Sequence, residues 1–431
     1  MMLLQDLPTP AFIVNRYAFR KNCKTVRAAA FSNGIKHLRP HVKTHKTREG
    51  CVIQAGLDIG EEELNNGDSS EVIGFVASTI PEVSMLVELA CQKQCRPFND
   101  ILLGVPICQS KLFAISALKN KLRSKFKCVD TGTIHILIDH PAQVHFLHDF
   151  IQNEASSYEG GSWSVFMKLD TGYHRAGTTC DKRGVDLATE IINSPVLELK
   201  GVYSHCGHAY NIDDEEEMNQ TAEMDLSLIT SFLEKLGDHL KHNNISFDTS
   251  SLHISVGSTP SLFSHKHHSD MINPMEIHPG NYVFFDRQQL WTGACKHEQY
   301  VASFVLARVI GHYPDIVRNA IMVDAGATAL TKESTPQGEM CSVFGHPDLE
   351  CYRMSQEVTM IRRRKEFTDK SGGGHFPFEQ FPLGSTLLLV PNHSCLAAAC
   401  FDKYYVVDEN CYPFGRDAAV VDEWKPVTGW L

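Results

Sequence analysis

The run "WSVFMKLDTGYHRAG", residues 163–177, decides how the chain is read. It opens as a nearly continuous apolar stretch and ends in a polar cluster, Asp170, Tyr173, His174 and Arg175. Apolar side chains on both alternating faces suit a strand buried on both sides, as in a parallel sheet. Working outward, the same texture recurs at 37–43, 71–78, 100–107 and 134–140 upstream. It recurs downstream at 197–206, 253–258 and 275–285. Helical spacing follows these runs from about Thr47 and at 81–92, 141–152, 182–193 and 214–236. About eight strand–helix repeats over roughly 250 residues predict an α/β fold, a (β/α)8 TIM-like barrel. An open, doubly wound sheet is the alternative.

After about residue 290 the texture changes. The segments 300–313, 319–326, 385–393 and 403–409 read as strands with little helical pattern between them. The expected division is a barrel over 1–290 and a C-terminal β domain over 291–431. The opening "TPAFIVN" (9–15) reads as an edge strand able to join either part, so the first ~15 residues can pack with the second domain. "DKSGGGHF" (369–376) reads as a flexible insertion.

Composition narrows the function. The 431 residues are 43% hydrophobic and 21% charged, ordinary for a globular enzyme. A formal net charge of -11 argues against nucleic-acid binding. No apolar run approaches the ~20 residues of a membrane helix. Gln5, Asp6 and Pro8 interrupt the start too early for a signal peptide. The fourteen cysteines are scattered and read as reduced thiols, so a cytoplasmic location is expected. "CQKQC" (91–95) looks like half a zinc site, without a second half nearby.

In barrels of this kind, reactive groups stand where strands end. The first strand ends in "LRPHVKTHKT" (38–47), five basic residues in a short span. The fifth delivers Arg175 and the sixth, "YSHCGHAY" (203–210), delivers His205, His208 and Tyr210. "SVGSTPS" (255–261) and "HPGNY" (278–282) follow the seventh and eighth strands, the usual seat of a phosphate group in a barrel. Gly257 and Gly280 let backbone approach closely, and the N–H groups of Ser258, Thr259 and Asn281 could grip phosphate oxygens. A phosphate there and a lysine at the first strand imply pyridoxal 5'-phosphate held on a Schiff-base lysine. Lys43, at the end of the apolar run, is expected to be that lysine, with Lys46 left to the turn. Arg39, His41 and His45 are expected to supply a positive surrounding. In the β domain, "VPNHSC" (390–395) places His393 and Cys395 two apart, on one face of an extended segment. An imidazole and a thiolate together suit Zn²⁺, with positions left open for substrate or water.

Together these residues resemble the eukaryotic-type D-serine dehydratase family, fold type III pyridoxal-phosphate enzymes related to D-threonine aldolase and alanine racemase. The resemblance runs through "RPHVKTHKT", "KLDTGYHRAG", "YSHCGHAY", "SVGSTPS", "HPGNYVFFD", "DAGATALTKE", "VPNHSC" and the terminal "WKPVTGW". It implies a barrel plus β domain and a homodimer with shared sites. It implies Lys43 as cofactor lysine, Arg175, His205 and Tyr210 at the cofactor, and the turns at Gly257, Ser258, Thr259, Gly280 and Asn281 on its phosphate. His278 stands where racemases place an arginine facing the pyridine nitrogen. His393 and Cys395 match the zinc pair, and a cysteine there favours the dehydratases over the aldolases. One departure is Val358, where relatives often carry histidine within Glu-His-Gly; the loop 362–380 also looks longer. The implied activity is conversion of a D-β-hydroxy amino acid, D-serine first, to a 2-oxo acid and ammonia. The alternatives are D-threonine-type aldolase, D-threo-3-hydroxyaspartate dehydratase and a non-catalytic pyridoxal-phosphate protein.

Overall fold

A computed structural model describes residues 2–58, 69–126, 132–153, 161–267, 271–367 and 376–430. It divides into two compact units, one of Thr25–Gly280 with Val427–Leu431, the other of Met1–Lys24 with Asn281–Pro426.

The first unit is a parallel barrel. Its strands run His37–Leu38, Glu71–Val72 with Phe75–Ala77, Asp100–Pro106, Thr133–Ile138, Trp163–Asp170, Leu197–Tyr203, His253–Val256 and Met275–Ile277. Neighbours in this order pair in parallel, and the last pairs with the first through Glu276–His37 and Ile277–Leu38. The ring closes because His37 and Leu38 pair with Glu71 and Val72, and His41 then bridges to Val76. The first strand is shorter than predicted because Pro40 has no N–H for the ladder. The eighth stops at Ile277 rather than 285, where Pro279–Gly280 turns the chain.

The barrel is filled, not hollow. Val76, Leu102, Leu137, Phe166 and Tyr203 form one buried cluster. At the strands' N-terminal ends Arg39 is 2% exposed and holds Glu276 Oε1 at 2.7 Å, with a second bond to Asp100. His135 joins Asp100 at 3.0 Å and the Ser164 hydroxyl at 2.6 Å. This network ties five strands together, and with burial opposing it, Arg39 and His135 still hold Asp100 well below the usual carboxylate range. Helices follow the strands. Thr47, Thr79, Asp181 and Asp214 cap those at Arg48–Gln54, Ile80–Lys93, Lys182–Asn193 and Glu215–His242, each accepting a backbone N–H from the first turn.

The second unit is built on a sheet. Its strands lie in the order Leu349–Met354, Thr359–Arg363, Ala320–Val323, Ser303–Tyr313, Ala11–Asn15, Tyr404–Val407 and Asp422–Trp424. Thr386–Pro391 pairs with Ser303–Tyr313 and with Cys341–Val343. Pairings are antiparallel except Ala11–Asn15 with Tyr404–Val407. The opening segment is therefore an interior strand of this sheet, not an edge strand, and all five of its residues are buried. Aromatic contacts of Phe12 with Phe284, Phe401 and Tyr404, and of Phe19 with Trp424, fill the space on the sheet. Of the 369–376 segment, only Phe376 lies within the described residues.

Among the described residues every cysteine is a free thiol, and no helix is long and apolar enough to cross a membrane.

Candidate active site

The barrel's C-terminal rim gathers imidazoles around Tyr203. His41 Nε2 lies 3.1 Å from the Tyr203 hydroxyl. The Tyr203 ring stacks on His278 at 4.1 Å, and the rings of His278 and His205 stand 6.2 Å apart at 30°. Ser255 Oγ meets His278 Nδ1 at 2.9 Å, which fixes that ring and leaves Nε2 without a partner. His41 Nδ1 and His205 Nδ1 are likewise buried and unpartnered.

Burial holds all three imidazoles neutral, their pKa values far below the usual histidine value. The charge of Lys43 lowers all three further. Lys168 projects inward from the fifth strand, 4.7 Å above the Tyr203 ring, and burial and Arg175 push it down to about 8.

The fifth strand's end is shaped by Asp170. It accepts the N–H groups of Gly172 and His174 at 3.1 and 3.0 Å and meets the His174 ring at 3.0 Å. Tyr173 then lies against His205, ring centroids 5.9 Å apart, with the Arg175 guanidinium 4.7 Å over the Tyr173 ring. Tyr210 lies in the helical turn His208–Asn211 just after the sixth strand.

The glycine turns meet the lysine segment. A Cβ on Gly280 would stand 3.0 Å from His41 Cβ and 3.2 Å from Thr44 Oγ1, the residues flanking Val42 and Lys43. Gly280 N–H donates to the Thr259 hydroxyl at 3.3 Å, joining the two turns. Gly257 has φ +101°, which a side chain would strain, and its backbone abuts the His205 ring. Ser258 N–H donates to Ser261 Oγ at 3.1 Å.

Of the basic stretch 38–47, His41 alone joins the imidazole cluster. The Arg39 guanidinium is committed to Glu276 and Asp100, and the His45 ring sits between Gln54 at 2.9 Å and Thr47 at 3.1 Å. Arg39 and His45 are thus engaged elsewhere, while the like charges of Lys43 and Lys168 oppose one another. Lys46 pairs with Glu82 at 3.6 Å.

In the second unit Asn281 and Asp286 anchor the segment that carries His393 and Cys395. Ser394 N–H donates to Asp286 Oδ2 at 2.8 Å, and Ser394 Oγ donates to Asn281 Oδ1 at 2.6 Å. The Asn281 amide in turn donates to Asp286, so its side chain is spent on structure. His393 precedes a short helix, Ser394–Ala398, whose first turn holds Cys395. The predicted extended segment is therefore a helix start. Burial opposes protonation of His393, but Cys395, Glu333 and Asp286 outweigh it and raise its pKa. Glu333 Oε2 lies 2.8 Å from His393 Nδ1, a neighbour that sequence reading did not identify. Val358 sits in a turn closed by Ser355 N–H to Val358 C=O at 2.8 Å and pressed on Gly326, which has no room for a Cβ.

Three orphaned, neutral imidazole nitrogens, a lysine and two glycine turns fit an aromatic phosphate ester such as pyridoxal 5'-phosphate. An imidazole bracketed by a thiol and a carboxylate fits Zn²⁺ by its donor chemistry. Lys168 and Tyr203 lie within strands, where an inward polar residue gives no signal distinct from its neighbours.

Residues 72–284 match the model of the alanine racemase N-terminal domain, and residues 302–407 match that of a putative serine dehydratase domain. A D-serine dehydratase of Schizosaccharomyces pombe is 32% identical over 99% of this chain and 93% of its own length. One from Dictyostelium discoideum is 29% identical over 99% of this chain and 98% of its own length. In fold, the chain superposes on D-threo-3-hydroxyaspartate dehydratase from Delftia sp. HT23 with a TM-score of 0.76, at 23% identity over the whole of both chains. D-threonine aldolase from Filomicrobium marinum gives 0.71 at 20% identity, over 99% of this chain and 97% of that one. The barrel with its rim of imidazoles, the sheet unit and this full-length likeness have one meaning: the chain belongs to the eukaryotic D-serine dehydratase family.

Proposed function

We propose that the protein removes the β-hydroxyl and amino groups of a D-β-hydroxy amino acid, D-serine first, releasing a 2-oxo acid and ammonia. The observation that supports this reading is Gly280 lying bare against His41 and Thr44, which sets the glycine turn against the backbone segment that carries Lys43. Pyridoxal 5'-phosphate, when bound, supplies the electron sink that makes the Cα proton removable. Lys43 would hold the cofactor, and its Nζ would serve as the base for the substrate's Cα proton. Gly257, Ser258, Thr259, Gly280 and the backbone of Asn281 hold the phosphate. His278 would face the pyridine nitrogen, and burial keeps its ring a neutral imidazole rather than an imidazolium. His205 and Tyr210 border the ring, and Arg175 and Lys168 keep the rim positive for a carboxylate substrate. His393 and Cys395 would hold Zn²⁺, with Glu333 beside them, and the ion would supply a Lewis acid for the departing hydroxyl.

The reading includes a homodimer with shared sites and a cytoplasmic location; sedimentation of a fully active monomer would exclude the former. The central test is a spectrum of the purified protein with and without D-serine, followed by a pyruvate assay. Lys43→Ala is expected to lose the visible absorption of a lysine-bound cofactor and all turnover, and an unchanged spectrum removes the assignment. Cys395→Ala, or chelation, is expected to stop turnover with the cofactor retained. D-threonine separates this reading from an aldolase, 2-oxobutyrate supporting it and glycine with acetaldehyde overturning it.

A further inference from the structure

Behind the Gly257 turn, within the barrel unit, lies a buried donor cluster that the reading above does not use. The thiol of Cys206, a carboxylate oxygen of Asp225 and a ring nitrogen of His265 all lie within 4.8 Å of one another. Their side chains are closed to solvent, at 0%, 1% and 1% exposure. Neither nitrogen of His265 has a hydrogen-bond partner, and the Asp225 carboxylate, with the Cys206 thiol and the Thr171 hydroxyl beside it, accepts no well-formed hydrogen bond, the Thr171 hydroxyl being 2.6 Å from Ser204 Oγ. Asp225 stands on the buried face of the helix Glu215–His242 among Met218, Ala222, Leu226 and Ile229, where an acid has no packing purpose. Buried polar atoms are ordinarily paired, so an unpartnered carboxylate oxygen and an unpartnered imidazole nitrogen meeting at the Cys206 thiol imply a missing partner that accepts one lone pair from each.

We propose that Cys206, Asp225 and His265 bind a Zn²⁺ ion at a structural centre distinct from the His393–Cys395 pair. The donor types select the metal. A thiolate and an imidazole exclude Mg²⁺ and Ca²⁺, which take oxygen ligands, and favour Zn²⁺. One thiolate and one carboxylate neutralise a divalent ion without leaving net charge in the interior. His208 stands beside the fourth position, its Nε2 3.7 Å from the Cys206 sulfur. Tetrahedral zinc with ordinary Zn–S and Zn–N bonds places such atoms about 3.5 Å apart. The ion would brace the phosphate turn. The His265 ring lies 3.1 Å from where a Cβ on Gly257 would be, and Ser261, which holds Ser258 N–H, adjoins the Cys206 thiol.

The test removes the other pair first. The His393→Ala/Cys395→Ala double variant is purified as holoenzyme, dialysed against metal-free buffer, and its zinc measured by mass spectrometry. About one ion per chain is the expected result, and a folded double variant free of zinc overturns the proposal. Adding Cys206→Ser to that background is expected to remove the remaining ion; a full equivalent retained there also overturns it. Should the triple variant not fold, Co²⁺ exchanged into the double variant reads the same ligand. A thiolate-to-Co²⁺ charge-transfer band is expected, and Co²⁺ bound without that band, or not bound, refutes the centre.

Discussion

At the scale of single residues, Gly280 carries the sharpest expectation. A methyl there must displace His41 Cβ or Thr44 Oγ1, both backbone-proximal atoms with little freedom to move. Gly280→Ala is expected to destabilise the protein by about 1–3 kcal/mol and to speed loss of the cofactor on dialysis. Urea melts and the residual visible absorbance measure the two effects; a variant that matches the parent in both removes the tight contact. In the sequence, a residue is noticed where its chemistry is unusual for a strand end. Lys43, the glycine turns and His393 with Cys395 stand out in this way. Asp225 and His265 did not, because an acid in an acidic helix and a histidine in a loop look solvated until the fold buries them. Glu333 was hidden for another reason. It reaches His393 across 60 residues, and no local pattern reports such a pairing.

Among elements, the turn after the fifth strand positions the rim. Asp170 replaces the missing ladder partners of Gly172 and His174, and so aims Tyr173 and Arg175. Asp170→Ala is expected to lower kcat/KM on the order of 10–100-fold through misplacement of those side chains. Asp170→Asn keeps an acceptor oxygen and is expected to recover most of it. Equal loss in both variants would mean that charge, not the turn, matters. The eight barrel strands were legible because each is an apolar run with a polar end. Their lengths were less so, since Pro40 and Pro279 stop strands that hydrophobicity alone would extend. Strands at Leu349–Met354 and Thr359–Arg363 escaped notice because Arg353, Arg362 and Arg363 interrupt their apolar pattern. The helices Arg16–Ser32 and Leu112–Lys125 were also not read, their apolar positions being diluted by lysine, arginine and asparagine.

For the whole molecule, buried neutral histidines set the response to acid. His41, His45, His205 and His278 all have folded pKa values below the unfolded one, and burial brings His45 to about 4. Above about pH 6.5 both states are neutral at these sites and stability does not depend on them. Below it the unfolded chain takes up protons that the folded one refuses. Each such group then removes about 1.4 kcal/mol per pH unit until its folded pKa is reached. Asp100 adds a further loss only below about pH 4, because its folded pKa is depressed. Urea midpoints are therefore expected to fall steeply from pH 6.5 to 5, and less steeply in His45→Gln; identical slopes would contradict the account. Order of synthesis brings out another property. Ala11–Asn15 leaves the ribosome early, yet its hydrogen-bonding neighbours, Ser303–Tyr313 and Tyr404–Val407, are translated only after the entire barrel. Its four apolar residues, Ala11 to Val14, must stay out of trouble until then. Nascent chains of this protein should accordingly cling to holdase chaperones until the final strands emerge.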